Sequence, residues 1–88
     1  MAASAATPEQ QLRAVDVQFD GDWLSVVLSD DRRISVPVSR IPWLAWLANA
    51  PESQRKRWTI EPGGFAVYWD ELDDGIEVRH LLEMVPLR

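Results

Sequence analysis

The sequence predicts an α+β domain: an antiparallel three-stranded meander, then short helices, a second β-hairpin and a short C-terminal helix. Three observations carry this reading. Apolar and polar residues alternate from Ala14 to Pro37, with two tight-turn signals between the runs. The period then changes across RIPWLAWLANA, a segment with proline near its start. Alternation returns in WTI and FAVYW, on either side of Pro62-Gly63-Gly64.

Each element follows in order. Residues 1–12 are small, polar and unpatterned, and are expected to form a disordered tail ahead of a single domain at 13–88. In the first strand Val15, Val17 and Phe19 share a face opposite Asp16 and Gln18. Asp20-Gly21-Asp22 supplies a hairpin turn. Leu24, Val26 and Leu28 form the inward face of the second strand. Ser29-Asp30-Asp31-Arg32 is the next turn, and Ile34 and Val36 point inward from the third strand. Ser39 is a candidate N-cap, and Pro42 suits a first helical turn. Leu44, Leu47 and Ala48 share a helical face that can cover the sheet, while Trp43 and Trp46 project elsewhere in different directions. Pro51 opens a second short helix, PESQRKRW. Trp58-Thr59-Ile60 and Phe65 to Trp69 read as strands. Ile76 and Val78 then alternate with Glu77, and a helix from His80 to Met84 ends before Pro86. Periodicity alone leaves the pairing between the two strand groups open.

Composition narrows the function. A chain of 88 residues makes one domain and buries only about 60% of the surface its unfolded form exposes, so most large apolar side chains serve the core. Few remain to wall a substrate cleft, and no enzymatic activity is expected. The absence of cysteine excludes disulfides, thiolate metal ligands and cysteine nucleophiles. MAASAATPEQQLR has neither the basic nor the apolar region of a secretory signal, and no apolar run approaches the ~20 residues that span a bilayer. A soluble cytoplasmic protein is therefore expected. Net charge is −5, which disfavours nucleic acid as a partner. The one dense basic run, Arg55-Lys56-Arg57, is the candidate for such a contact, but reads more simply as a solvated helix face.

AVYWDELDDGIEVRHLL holds five carboxylates, from Asp70 to Glu77. As a calcium loop starting at Asp70 it has Asp74 and Gly75 in place. It carries Leu72 and Leu81 where an interior ligand and the bidentate glutamate belong, so it is not an EF-hand. His80 is the only imidazole, so no two-histidine metal set can form within the chain, and no serine sits in a nucleophile elbow. No metal or other cofactor is expected. The acids are read as turn formers: Asp70 accepting backbone N–H groups, and Asp73 or Asp74 doing so ahead of Gly75.

Ordered blocks of the chain resemble a known family. ISVPVSRIPWL (Ile34 to Leu44), Pro51-Glu52 and GGFAVYWDELDDGIEVRHLL (Gly63 to Leu82) are similar to the DUF2442 family of small bacterial domains. The late family signature falls on Trp69, Leu72, Asp73, Ile76, Val78, Leu81 and Leu82. Two features depart from the family pattern. Trp43 stands where the family often has a basic residue, and the stretch from Ala45 to Arg57 is slightly longer than usual. The resemblance implies a compact α+β fold. Some family members carry an appended helix-turn-helix and others are encoded beside small toxin-like proteins, which implies a partner-binding or antitoxin-like role. A chain of 88 residues is expected to have no room for an added DNA-binding domain.

The favoured expectation is a non-catalytic protein-interaction module, antitoxin-like or self-associating, with Trp43 and Trp46 as the partner-binding candidates. Its alternatives are a nucleic-acid-associated regulator using Arg55, Lys56 and Arg57, and a small ligand- or metal-binding protein using the Asp70–Glu77 segment.

Overall fold

The computed structural model describes residues 12–84. The expected tail lies outside the described residues except for its last position. There Leu12 is a core side chain, 1% exposed, rather than part of a tail.

Strands β1 (Ala14–Asp20), β2 (Trp23–Leu28) and β3 (Arg33–Pro37) pair antiparallel in that order, as expected of a meander. Gly21 turns the first hairpin at φ +60°, and Asp31 turns the second at φ 72°. Leu24, Val26, Leu28, Ile34 and Val36 all face the core. The first strand departs from simple alternation. Its register runs from Ala14 opposite Leu28 directly to Asp16 opposite Val27, leaving Val15 as the extra residue of a β-bulge. A bulge resets the two-residue period, so Ala14 and Val17 point inward and Val15 is 55% exposed.

A connector follows: 3-10 turns at Val38–Arg40 and Pro42–Leu44, then α1 (Ala45–Ala48) and α2 (Glu52–Arg55). Pro42 opens its turn as expected. Ser39 is not an N-cap. The preceding turn starts at Val38, which places Ser39 inside it, and its hydroxyl donates instead to Asp22 Oδ2 at 2.5 Å. The Ser39 N–H donates to Asp22 Oδ1 at 3.0 Å, so the connector is tied back to the first hairpin.

Strands β4 (Trp58–Ile60), β5 (Ala66–Trp69) and β6 (Asp74–Glu77) make a second antiparallel sheet in the order β4-β5-β6, and α3 (Val78–Met84) follows directly. The second hairpin thus gains β6 as a third strand. The two sheets share one core with Leu44 and Leu47 of the connector and Val78, Leu81 and Leu82 of α3. Each fully buried side chain of this size contributes about 1.5–3 kcal/mol.

The sheets meet where the β4–β5 turn touches the start of β1. Ala14 N–H donates to Gly64 O at 2.6 Å, while Val78 N–H donates to Phe65 O at 2.8 Å and continues the β5–β6 pairing into α3. Gly64 has φ +78°, and a Cβ there would lie 2.7 Å from Arg13 Cβ and 3.1 Å from Ala14 O. Gly21 also has positive φ but faces open space. Gly64→Ala is therefore expected to cost about 1–3 kcal/mol, and Gly21→Ala no more than about 1 kcal/mol. Urea unfolding of the two variants checks this; equal midpoints would show that the close approach at Gly64 carries no weight.

Candidate functional site

The acidic segment is dispersed by the fold. Asp70–Leu72 form a 3-10 turn, closed by Asp73 in the left-handed region at φ 51°. The Asp73 N–H donates to the backbone carbonyl of Asp70 at 3.2 Å, so the main chain makes the contact expected of the Asp70 side chain. Asp74 Oδ1 accepts the Gly75 N–H at 2.8 Å, as a turn-forming acid should. Glu71 pairs with Arg57, and Glu77 accepts from Arg79 Nε at 2.8 Å. Among the described residues no group of three or more His, Asp or Glu side chains is placed to hold a metal ion.

Tyr68 OH donates to Asp73 Oδ1 at 2.7 Å. This hydrogen bond, with lost hydration and the charges of Asp73, Asp70 and Asp74, pushes the phenol up from 10.0 to about 12. Because the folded-state value is raised, any stability from this proton is fully present below pH 10 and is lost as pH rises through about 12. Tyr68 is the only tyrosine, so phenolate absorbance reports it alone. A titration midpoint near 12 is expected, falling toward 10.0 in Asp73→Asn; a wild-type midpoint near 10.0 would remove the hydrogen bond from the account.

The basic run is likewise committed within the chain. Arg55 is half-buried, and its Nη2 donates to Ala48 O at 2.6 Å and its Nε to Ala50 O at 3.2 Å. Lys56 lies 3.7 Å from Glu52, and Arg57 pairs with Glu71. The three cations therefore face different partners within the chain rather than forming one basic patch.

The two connector tryptophans separate. Trp46 is half-buried and packs edge-on against Trp69, with ring centroids 5.6 Å apart and planes at 71°. Trp46 thus packs on the second sheet and is less exposed than Trp43. Trp43 stays 43% exposed. Its ring meets His80 edge-on, with centroids 6.5 Å apart. Trp43, His80, Glu83 and Met84 line an open groove of about 510 Å³ between the connector and α3. Pro42 fixes the turn that carries Trp43. The sequence reading missed His80 and Met84 as its neighbours, because only the packing of α3 brings them there. It also missed Trp23, 49% exposed on the outer face of β2. The signal for Trp23 was present: it stands one residue before Leu24, out of phase with the inward positions Leu24, Val26 and Leu28.

A family model described as a protein of unknown function (DUF2442) matches residues 14–86. The chain belongs to the DUF2442 family. Its late signature is mostly core: Trp69, Ile76, Val78, Leu81 and Leu82 are buried, while Asp73 holds the left-handed turn and accepts from Tyr68. The DUF2442 domain shares its fold with a protein of unknown function from Rhodospirillum rubrum solved by crystallography. Identity is 19% with a TM-score of 0.70, over 88% of this chain and 92% of that one. The NMR structure of an uncharacterized protein from Chromobacterium violaceum is similar at 22% identity and a TM-score of 0.68. That match covers 81% of this chain and 64% of the other. At such identities the likeness is one of fold. No curated protein matches the sequence. Among the described residues no helix is long and apolar enough to cross a membrane.

Proposed function

We propose that this DUF2442 domain is a non-catalytic, cytoplasmic interaction module that docks a basic protein partner at the Trp43 groove. The observation that carries the reading is the exposed indole of Trp43, held on a proline-fixed turn above His80 and Met84. Rigid, half-exposed tryptophan beside apolar and polar neighbours is the composition of a binding hot spot. Glu83 on the groove wall, and a net charge of −5 overall, suit a partner whose lysine or arginine lies over the indole face. An antitoxin-like role, pairing with a small basic protein, is the specific form this reading takes.

The alternatives draw less support. Arg55, Lys56 and Arg57 are each engaged locally, and the Asp70–Glu77 acids are spent on turns and ion pairs.

The test is affinity capture from host lysate, read by mass spectrometry and repeated at high salt. One stoichiometric basic protein is expected with the wild type and with Trp23→Ala, and its loss with Trp43→Ala. Since Trp43 is partly exposed, that variant is expected to keep its stability to within about 1 kcal/mol. Recovery of the domain alone or only as its own oligomer, or the same partner on Trp43→Ala, would refute the reading.

A further inference from the structure

The outer face of the first sheet carries a second cleft, unrelated to the Trp43 groove. Because Leu24, Val26 and Leu28 point inward, Trp23 and Ser25 point outward from β2. The register sets Asp20 beside Trp23 on β1, and Gln18 and Ser35 on either side of Ser25. Arg33 reaches across the sheet to these rows, its Nη1 donating to Gln18 Oε1 at 3.3 Å. Together these side chains line a cleft of about 340 Å³, within the size range of small-molecule sites.

The chemistry of the lining selects the ligand. Trp23 offers a flat, half-exposed apolar surface at one end. Around it stand donors and acceptors of both kinds. Ser25 and Ser35 share one hydrogen bond at 2.7 Å, which leaves one hydroxyl proton to give. Arg33 and Asp20 form no ion pair with a described residue, so most guanidinium N–H groups and the Asp20 oxygens remain available. One carboxylate and one guanidinium leave the lining without net charge. An anion would meet Asp20 and a cation Arg33. A neutral ring with an apolar C–H face and several hydroxyls satisfies every group at once.

We infer that the cleft over Trp23, Asp20, Ser35 and Arg33 binds a neutral saccharide, one sugar ring stacking on the indole while its hydroxyls bridge the carboxylate, the seryl pair and the guanidinium. This site is independent of the Trp43 groove, and its failure would leave that reading intact.

The test is an amide and indole NMR titration of the full chain with glucose, galactose, N-acetylglucosamine, maltose and cellobiose. Benzoate, inorganic phosphate and buffer dilution serve as comparisons. At least one sugar is expected to shift the Trp23 indole N–H and the Ser25 and Ser35 amides saturably, with millimolar affinity. Trp23→Ala and Asp20→Asn should each weaken it at least about tenfold without changing the unfolding midpoint by more than a few degrees. Arg33→Ala provides a second, independent loss. The inference is overturned if none of the sugars shifts these signals, if Trp23→Ala binds as the wild type does, or if benzoate or phosphate binds in their place. Shifts that grow with protein concentration alone would assign the face to a second copy of the chain and also overturn it.

Discussion

The indole N–H of Trp69 donates to the carbonyl of Arg55 at 2.8 Å, and much of the domain hangs on that bond. Trp69 is fully buried at the end of β5, and a buried indole N–H without an acceptor costs about 1–3 kcal/mol. Arg55 ends α2, where carbonyls lack helical partners. The same residue sends its guanidinium to Ala48 O at the end of α1 and to Ala50 O just beyond it. One arginine thus closes two four-residue helices, neither long enough to persist alone. Trp46 then stacks edge-on against Trp69, fixing the connector to the second sheet. The Trp43 turn is held in place because the segment behind it is.

This knot explains why charge-rich stretches of the sequence lead to so little exposed chemistry. Arg55 is consumed by helix ends, Arg57 and Glu71 bridge the connector to the Asp70 turn, and Asp73 holds Tyr68. Two tryptophans stay half-exposed beside a groove or cleft: Trp43 beside α3 and Trp23 on the outer sheet face. In a small domain with one shared core, half-exposed tryptophan is surface that folding did not need. The binding chemistry proposed for the surface therefore lies on these two faces rather than in the acidic segment.

Much of the fold was legible in the sequence. The hairpin turns, the inward faces of β2 and β3 and the proline-led connector follow from local rules that one segment can express by itself. Val15 was misplaced because a bulge is a property of two paired strands, and its own alternation looks unbroken. Ser39 was misplaced because its acceptor, Asp22, lies 17 residues away. The same limit governs the site. The character of Trp43 and Trp46 as residues off the buried helical face was readable, but which of them stays exposed depends on where Trp69 lands. The Trp43 groove needed α3, and the Trp23 cleft needed the register of three strands.

The most direct test of this account is hydrogen exchange at the Trp69 indole N–H, compared by NMR with the Val26 amide at the centre of the first sheet. If the Trp69–Arg55 bond holds the second sheet and connector to the shared core, the indole proton should exchange only through global unfolding, with the same opening free energy as Val26. Exchange as fast as that of the exposed Trp43 indole would contradict it, and would mean that the connector opens independently of the core.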